Sequence, residues 1–363
     1  MQAHARAVLF DGSGLPFRHV EIPLPPLGDR EILVRVLYCT ICGSDVHTVA
    51  GRRSEPTPCI LGHEIIGRIE QFGVAASRRD LRGDPLREGD RITWTSAATC
   101  GTCFFCTHDL PQKCERIFKY GHQSIEGVHP LGGGLAEYCF LLPGTGIVRL
   151  PDDMPDAVAC PANCATATIA AALRTAGGCQ GKSVLIQGAG MLGLTACAMA
   201  KVAGASAVIC TDVNDERLSM ASRFGATHAL RATADALREG VATITNGYGV
   251  DLALELSGAP SAMELGLELL RIGGRAVWVG AVYPVAPIQI KPEFVVKRWL
   301  TLHGVHNYTS ADLLAALDFL TVHHRRFPFA EMVSEPVPLN EIDEAFRQAR
   351  SSGAVRVAVR PGG

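Results

Sequence analysis

The chain lacks an excess of charge of either sign. Its 363 residues carry 34 Lys and Arg against 36 Asp and Glu, a net charge of −2 with the 12 His neutral. Without a basic excess or a basic run, no general nucleic-acid surface and no electrostatic membrane surface is expected. The chain also lacks an uninterrupted apolar run of about 18 residues, so no membrane-spanning helix is expected. Its first residues, MQAHARAVLFDGSG, lack a charged start, an apolar core and a cleavage site. No signal peptide is read there, and a cytoplasmic location is expected. A repeat of fixed period is missing too, which argues against a solenoid or propeller.

Cysteine, by contrast, is plentiful: there are 13. With no export signal expected, that number suggests a reducing compartment and metal binding in place of disulfides. Cys100, Cys103, Cys106 and Cys114 read C-x2-C-x2-C-x7-C among loop-forming residues. Zinc takes four soft ligands in a tetrahedron, and closely spaced thiolates in a loop supply them. Two other readings compete, a chance cluster of buried cysteines and an iron–sulfur site. Iron–sulfur runs of this kind have a last gap of three followed by Pro. Here the gap is seven, and there is no second cluster motif. Four protein ligands leave no open position, so this zinc is expected to be structural. Cys39, Cys59, Cys139, Cys160, Cys179, Cys197 and Cys210 fall outside all motifs and read as small core residues.

The first third is β-rich, with apolar alternation in EILVRVLYC and EIIGRIEQFG between Gly and Pro breaks. Ala157 to Ala176 is Ala-rich and reads as helical. From Ser183, short apolar runs (SVLIQG, AVICTD, DLALELSG, RAVWVG) alternate with helices near Leu192–Ala203 and Asp215–Phe224. Such alternation means parallel βαβ units. A further amphipathic helix is expected over Ala311–Leu320. The fold class is therefore α/β. Residues 1–156 and 304–363 form one discontinuous β-rich domain, and 157–303 form an inserted, doubly wound parallel sheet. No low-complexity linker separates them, so a packed interface is expected.

Gly188-Ala189-Gly190-Met191-Leu192-Gly193 fits G-x-G-x-x-G, a weak pattern alone. Here a strand precedes it, a helix follows it, and Asp212 closes the next strand. Gly188 permits the tight turn, Gly190 lets the backbone approach a pyrophosphate, and Gly193 lets helix and strand pack closely. The helix start, Leu192 included, then faces phosphate with free N–H groups. Asp212 can accept hydrogen bonds from ribose hydroxyls and would repel a 2′-phosphate, so NAD is expected in preference to NADP. Three weaker signals are Cys42-Gly-Ser-Asp-Val-His47, Gly62-His63-Glu64 and Asn163-Cys164. A catalytic zinc needs three protein ligands and an open position. Cys42, His63 and Cys164 could supply two thiolates and an imidazole, but each one singly is more often structural.

Taken together and in order, CGSDVH, GHE, GDRI, CGTCFFC with Cys114, GGGLAEY, NCATAT, GAGMLG and Asp212 resemble the zinc-dependent alcohol dehydrogenases of the medium-chain superfamily. The resemblance spans essentially the whole chain. It implies a GroES-like catalytic domain with two zincs per chain, a Rossmann domain for NAD, and a homodimer or homotetramer. It implies Cys42, His63 and Cys164 as catalytic-zinc ligands, Glu64 as a neighbouring or transient ligand, and Asp45 as the carboxylate that orients His63. The reaction implied moves hydride between an alcohol and NAD, giving a ketone or aldehyde. Ser44 would take the alcohol proton and His47 would pass it outward, although either could be a plain surface group. Arg217 is carried over as a ribose-side contact. Gly43 stands where some relatives carry a pyrophosphate-binding Arg. Arg356 is a poor substitute and reads equally well as a surface charge.

The substrate is less legible. Ser96 is small where several primary-alcohol enzymes have an aromatic, which favours a secondary alcohol. Arg52, Arg53, Lys119, His122 and His306 sit on expected pocket loops near Trp94 and Ser96. They raise an anionic alcohol, such as a hydroxy-phosphonate or phosphorylated polyol, as the alternative. The bland reading is that they are solvated. A zinc-free reductase of the same superfamily and a non-enzymatic NAD-binding scaffold are the other classes open, and near two zincs per chain would separate the zinc dehydrogenase from both.

Overall fold

The computed structural model describes residues 4–351 and 355–362. The chain divides into two units. One comprises Met1–Cys164, Thr309–His324 and Phe329–Gly363, and the other Ala165–Tyr308 and Arg325–Pro328.

The first unit is built on an eight-stranded sheet. Its strand Ile32–Ile41 pairs antiparallel with Glu64–Phe72, and also with Tyr138–Leu141 and Val357–Arg360. Most of this strand is buried, as its near-continuous apolar sequence requires. In its register Thr40 faces Glu64. The end of one strand is thereby set beside the start of its neighbour, and the loops leaving those ends carry Cys42 and His63. Strand Arg91–Ala98 extends the sheet next to Glu64–Phe72. The helix expected over Ala311–Leu320 runs Ser310–His323. Thr309 and Asp312 form a reciprocal capping box at its start, and it buries Leu313, Ala316, Leu317 and Leu320 on one side.

In the second unit six strands form one parallel sheet. In space they run His228–Arg231, Ala207–Asp212, Ser183–Gln187, Val250–Glu255, Leu270–Trp278, Thr301–Gly304. Numbered within the unit this is 3-2-1-4-5-6, the doubly wound dinucleotide-binding order. The glycine loop leaves the C-terminal end of Ser183–Gln187, at the point where the strand order reverses. His228–Arg231 and Thr301–Gly304 carry no strand pattern in the sequence. Both are four-residue edge strands with mostly exposed side chains, so neither shows an apolar run.

The Ala-rich stretch is not one helix. It is helical at Asp156–Ala159, forms a tighter 3-10 turn over Cys160–Asn163, and resumes at Ala165–Thr175. Cys164 at the break has φ −131° and ψ −74°. Pro161 removes a backbone donor there. Asn163 pins the turn to the sheet, donating to the carbonyls of His63 (3.1 Å) and Trp94 (3.0 Å). The seven cysteines outside the motifs are all buried. Among the described residues no single helix is long and apolar enough to cross a membrane.

Candidate zinc centres and nucleotide loop

The four sulfurs of Cys100, Cys103, Cys106 and Cys114 lie within 4.8 Å of one another. Cys100 and Cys106 are 3.9 Å apart, and Cys103 and Cys114 3.8 Å. A tetrahedron with Zn–S bonds of about 2.3 Å has sulfur–sulfur edges of about 3.8 Å, so the donor set fits zinc. Backbone N–H groups of Cys100, Cys103 and Arg116 point at these sulfurs at 3.3–3.4 Å. Such donors favour thiolate. The N–H of Thr102, above all, pulls Cys100 down to about 5, while burial and the neighbouring Cys103 push Cys106 up to about 12.

The second group joins residues distant in sequence. The ligand atoms of Cys42, His63, Glu64 and Cys164 also lie within 4.8 Å of one another. Cys42 ends its strand and starts the short helix Gly43–Val49. His63 follows Gly62, whose φ of +87° suits glycine and whose added Cβ would lie 2.6 Å from the Cys39 sulfur. Cys164 Sγ is 3.4 Å from His63 Nε2. Asp45 serves both arms. Its Oδ2 accepts from the Cys42 N–H at 2.9 Å, and its Oδ1 lies 3.3 Å from His63 Nδ1. That leaves Nε2 to face the sulfurs.

Without a metal, protons distribute among these groups. Cys42 is held well below the usual thiol range, first by the hydrogen bond from Cys164 and then, against burial, by Arg356 and His63. Cys164 rises through that same bond and through burial. Burial disfavours a charged His63, but Asp45 and Cys42 outweigh it and lift the imidazole well above its ordinary value. A divalent cation would displace the protons on His63 and Cys164. Two thiolates, an imidazole and an adjacent carboxylate therefore fit zinc with a position to spare.

Arg356 is not the surface charge the sequence allowed. It is 8 % exposed. Its Nε lies 3.0 Å from Glu64 Oε2 and its Nη2 3.4 Å from Cys42 Sγ. Thr40 donates to the same carboxylate at 2.6 Å. Burial pushes Glu64 up to about 7 despite Arg356. No local sequence signal marks this pairing, because its partners lie more than 290 residues apart.

A second carboxylate changes the reading of the basic loops. Glu55 Oε1 lies 2.6 Å from Arg53 Nη2 and 3.1 Å from His122 Nδ1, and its side chain is 9 % exposed. Two of the five basic residues proposed for an anion site are therefore committed to an internal acid. Burial and Arg53 lower Lys119. Burial also lowers His122, whose ring lies 4.8 Å from that of His63 between centroids.

Ser44 and His47 sit three residues apart on the Gly43–Val49 helix, so they share a side of it. Burial and then Arg52 depress His47, which keeps it neutral and able to take a proton near pH 7. If proton transfer passes through His47, Arg52→Gln should raise its pKa. The acid limb of the pH–kcat/KM profile should then move to higher pH, and an unmoved limb would remove His47 from that role.

In the second unit, Gly188 has φ +105°, and a Cβ on Gly193 would lie 1.7 Å from the Gly188 carbonyl oxygen. A Cβ on Gly190 meets nothing within 4 Å, so its backbone is open to a ligand. Leu192 is half-buried in the first turn of helix Met191–Val202. Asp212 takes the Ala189 N–H at 2.6 Å and the Asn214 N–H at 2.9 Å, one on each oxygen. Each oxygen keeps a lone pair for a ribose hydroxyl. Arg217 Nε is buried and without a hydrogen-bond partner among the described residues. This loop fits a dinucleotide.

Known proteins agree with this anatomy. Residues 28–152 match the family described as alcohol dehydrogenase GroES-like domain, and residues 192–321 the family described as zinc-binding dehydrogenase. L-threonine 3-dehydrogenase of Anaeromyxobacter dehalogenans is 33 % identical over 300 residues, covering 81 % of this chain and 80 % of that protein. Sorbitol dehydrogenase of Halalkalibacterium halodurans is 29 % identical over 346 residues, 94 % of each. A crystal structure of an alcohol dehydrogenase from Thermotoga maritima superposes with a TM-score of 0.92 at 29 % identity, covering 99 % of this chain and 100 % of that one. The chain belongs to the zinc-dependent alcohol dehydrogenases of the medium-chain superfamily. It is an oxidoreductase with a GroES-like domain and a Rossmann domain.

Proposed function

We propose that the protein oxidises a secondary alcohol to a ketone with NAD as hydride acceptor. The observation that carries this reading is the convergence of Cys42, His63 and Cys164, with Asp45 orienting the imidazole and Glu64 alongside. These three would hold a zinc whose Lewis acidity lowers the pKa of a bound hydroxyl. Asp45 fixes His63 so that Nε2 is the donor atom. Arg356 draws Glu64 into an ion pair, which restrains that carboxylate from competing for the open position. Ser44 takes the alcohol proton, and the neutral His47 passes it to solvent. That Ser96 is small where several primary-alcohol enzymes carry an aromatic supports a carbinol carbon with a second substituent. The 3-hydroxyl of threonine, named in one relative, is itself a secondary alcohol.

Ser44→Ala should lower kcat about a hundredfold, in the usual range for a lost proton-transfer group, while the Kd for NAD changes less than about twofold. NADH absorbance with a panel of secondary alcohols reads the first and fluorescence titration the second. An unchanged kcat takes Ser44 out of the proton path.

A further inference from the structure

One turn of the first unit grips the chain around His63 at three consecutive residues. Asn163 Nδ2 donates to the His63 carbonyl at 3.1 Å. The Cys160 thiol donates to the Glu64 carbonyl at 3.1 Å. The Ile65 N–H donates to Asn163 Oδ1 at 3.4 Å. Cys160 and Asn163 stand at the two ends of the 3-10 turn Cys160–Asn163. Both are fully buried, and Cys164 follows directly.

The surroundings of Asn163 call for an amide. The ladder between Glu64–Phe72 and Arg91–Ala98 runs from the pair Ile66–Thr93 to the pair Arg68–Arg91. Next to Ile66 and Thr93, the Asn163 side chain reaches the Trp94 carbonyl at 3.0 Å as well as His63 and Ile65. It stands between the two strands much as a peptide group would. A carboxamide has two donors and an acceptor oxygen, and here they meet two carbonyls and one N–H. A carboxylate has no donor and a hydroxyl has only one, so neither reproduces the set.

The stitch bears on the metal centre because the ligands come from separate parts of the chain. His63 and Cys164 are 101 residues apart in sequence, yet Nε2 and Sγ lie 3.4 Å from each other. Asp45 orients the His63 ring, but it does not touch the turn that carries Cys164. Ligands held by supporting contacts need not be gathered at the expense of metal affinity. We infer that Asn163 is a positioning residue of the second zinc centre, its amide tying Cys164 to the His63 strand so that a metal meets thiolate and imidazole already at ligand spacing. Loss of the amide weakens zinc at Cys42, His63 and Cys164 and leaves the four-Cys zinc in place. This inference rests on the reading of those three residues as zinc ligands and adds what holds them together.

The test titrates the holoenzyme with a chelator of known zinc affinity and follows both zincs, with Cys42→Ala as the reference that keeps only the four-Cys zinc. In Asn163→Ala the Kd for zinc at the Cys42 centre should rise at least about tenfold, the lower end of what a lost supporting contact costs a metal site. The Kd of the four-Cys zinc should change less than about twofold. Asn163→Ser can keep part of the bonding, so its Kd should lie between those of wild type and Asn163→Ala, and it carries the test if the alanine variant does not fold. Thr93→Val is the control. It removes another buried bond to the same strand, from Thr93 Oγ1 to the Ile65 carbonyl at 2.9 Å, and leaves the turn alone. Its Tm should fall while both zinc affinities stay within about twofold of wild type. A lowered Tm with unchanged zinc affinity in the Asn163 variants would make the residue merely structural and overturn the inference. An equal loss of zinc in Thr93→Val would overturn it too. A wild-type holoenzyme that holds only the four-Cys zinc would instead remove the second centre itself, and the inference would fall with it.

Discussion

Cys42→Ala should cut kcat/KM at least about a thousandfold, a loss of about 4 kcal/mol of transition-state stabilisation, and should lower zinc from about two per chain to about one. Cys42 is one of two sulfurs in a set that otherwise offers one imidazole and a carboxylate already paired with Arg356. Removing it also takes an anion from beside the Arg356 guanidinium, which lies 3.4 Å from the sulfur. Arg356 then has Glu64 as its principal partner and draws that carboxylate further from a metal. The four-Cys lobe shares no ligand with this group, so its zinc should stay. Metal analysis after gel filtration, together with NADH formation, separates the possibilities. Lost activity with two zincs retained would show that Cys42 is not a ligand. One zinc with near-wild-type activity would show that the second centre is not the reaction centre.

The parts of the protein differed in how far they could be read from sequence, and the difference follows the range of the interactions. The structural-zinc ligands lie within fifteen residues, so their spacing alone nearly determines a tetrahedron. The glycine loop is also local, and the strand and helix flanking it announce themselves by apolar periodicity. Cys42, His63 and Cys164 come together only through the register of two strands and the anchoring of Asn163, so resemblance had to supply what spacing could not. The pairing of Arg356 with Glu64 and the role of Glu55 have no signal in the sequence. Each residue is a single charge with no periodic signature, and its role depends on a partner brought close by the fold. The two edge strands escaped for the converse reason, since an edge strand with little buried surface needs no apolar pattern. The helix expected over Ala157–Ala176 broke at Cys164 because tertiary hydrogen bonds through Asn163 overrode the helix preference of alanine.

Asp212→Gly should lower the NAD-to-NADP ratio of kcat/KM by at least about a hundredfold. A 2′-phosphate facing this carboxylate meets a like charge. At a separation of about 4 Å, that repulsion runs from about 1 kcal/mol in bulk water to about 4 kcal/mol at the effective dielectric of a protein surface. Asp212 is only 8 % exposed, so the upper part of that range applies, equivalent to two to three powers of ten. The carboxylate also binds the N–H groups of Ala189 and Asn214, tying the glycine loop to the turn after the second strand. Its removal should therefore raise KM for both cofactors as well as change their ratio. Asp212→Asn separates the two effects. The amide keeps one acceptor oxygen for the loop and drops the charge, so the ratio should fall while KM for NAD rises less than in the glycine variant. Steady-state kinetics with both cofactors on both variants is the measurement. A ratio unchanged in both would remove Asp212 as the determinant of cofactor choice. A ratio that falls only in the glycine variant would assign the effect to loop geometry and not to charge.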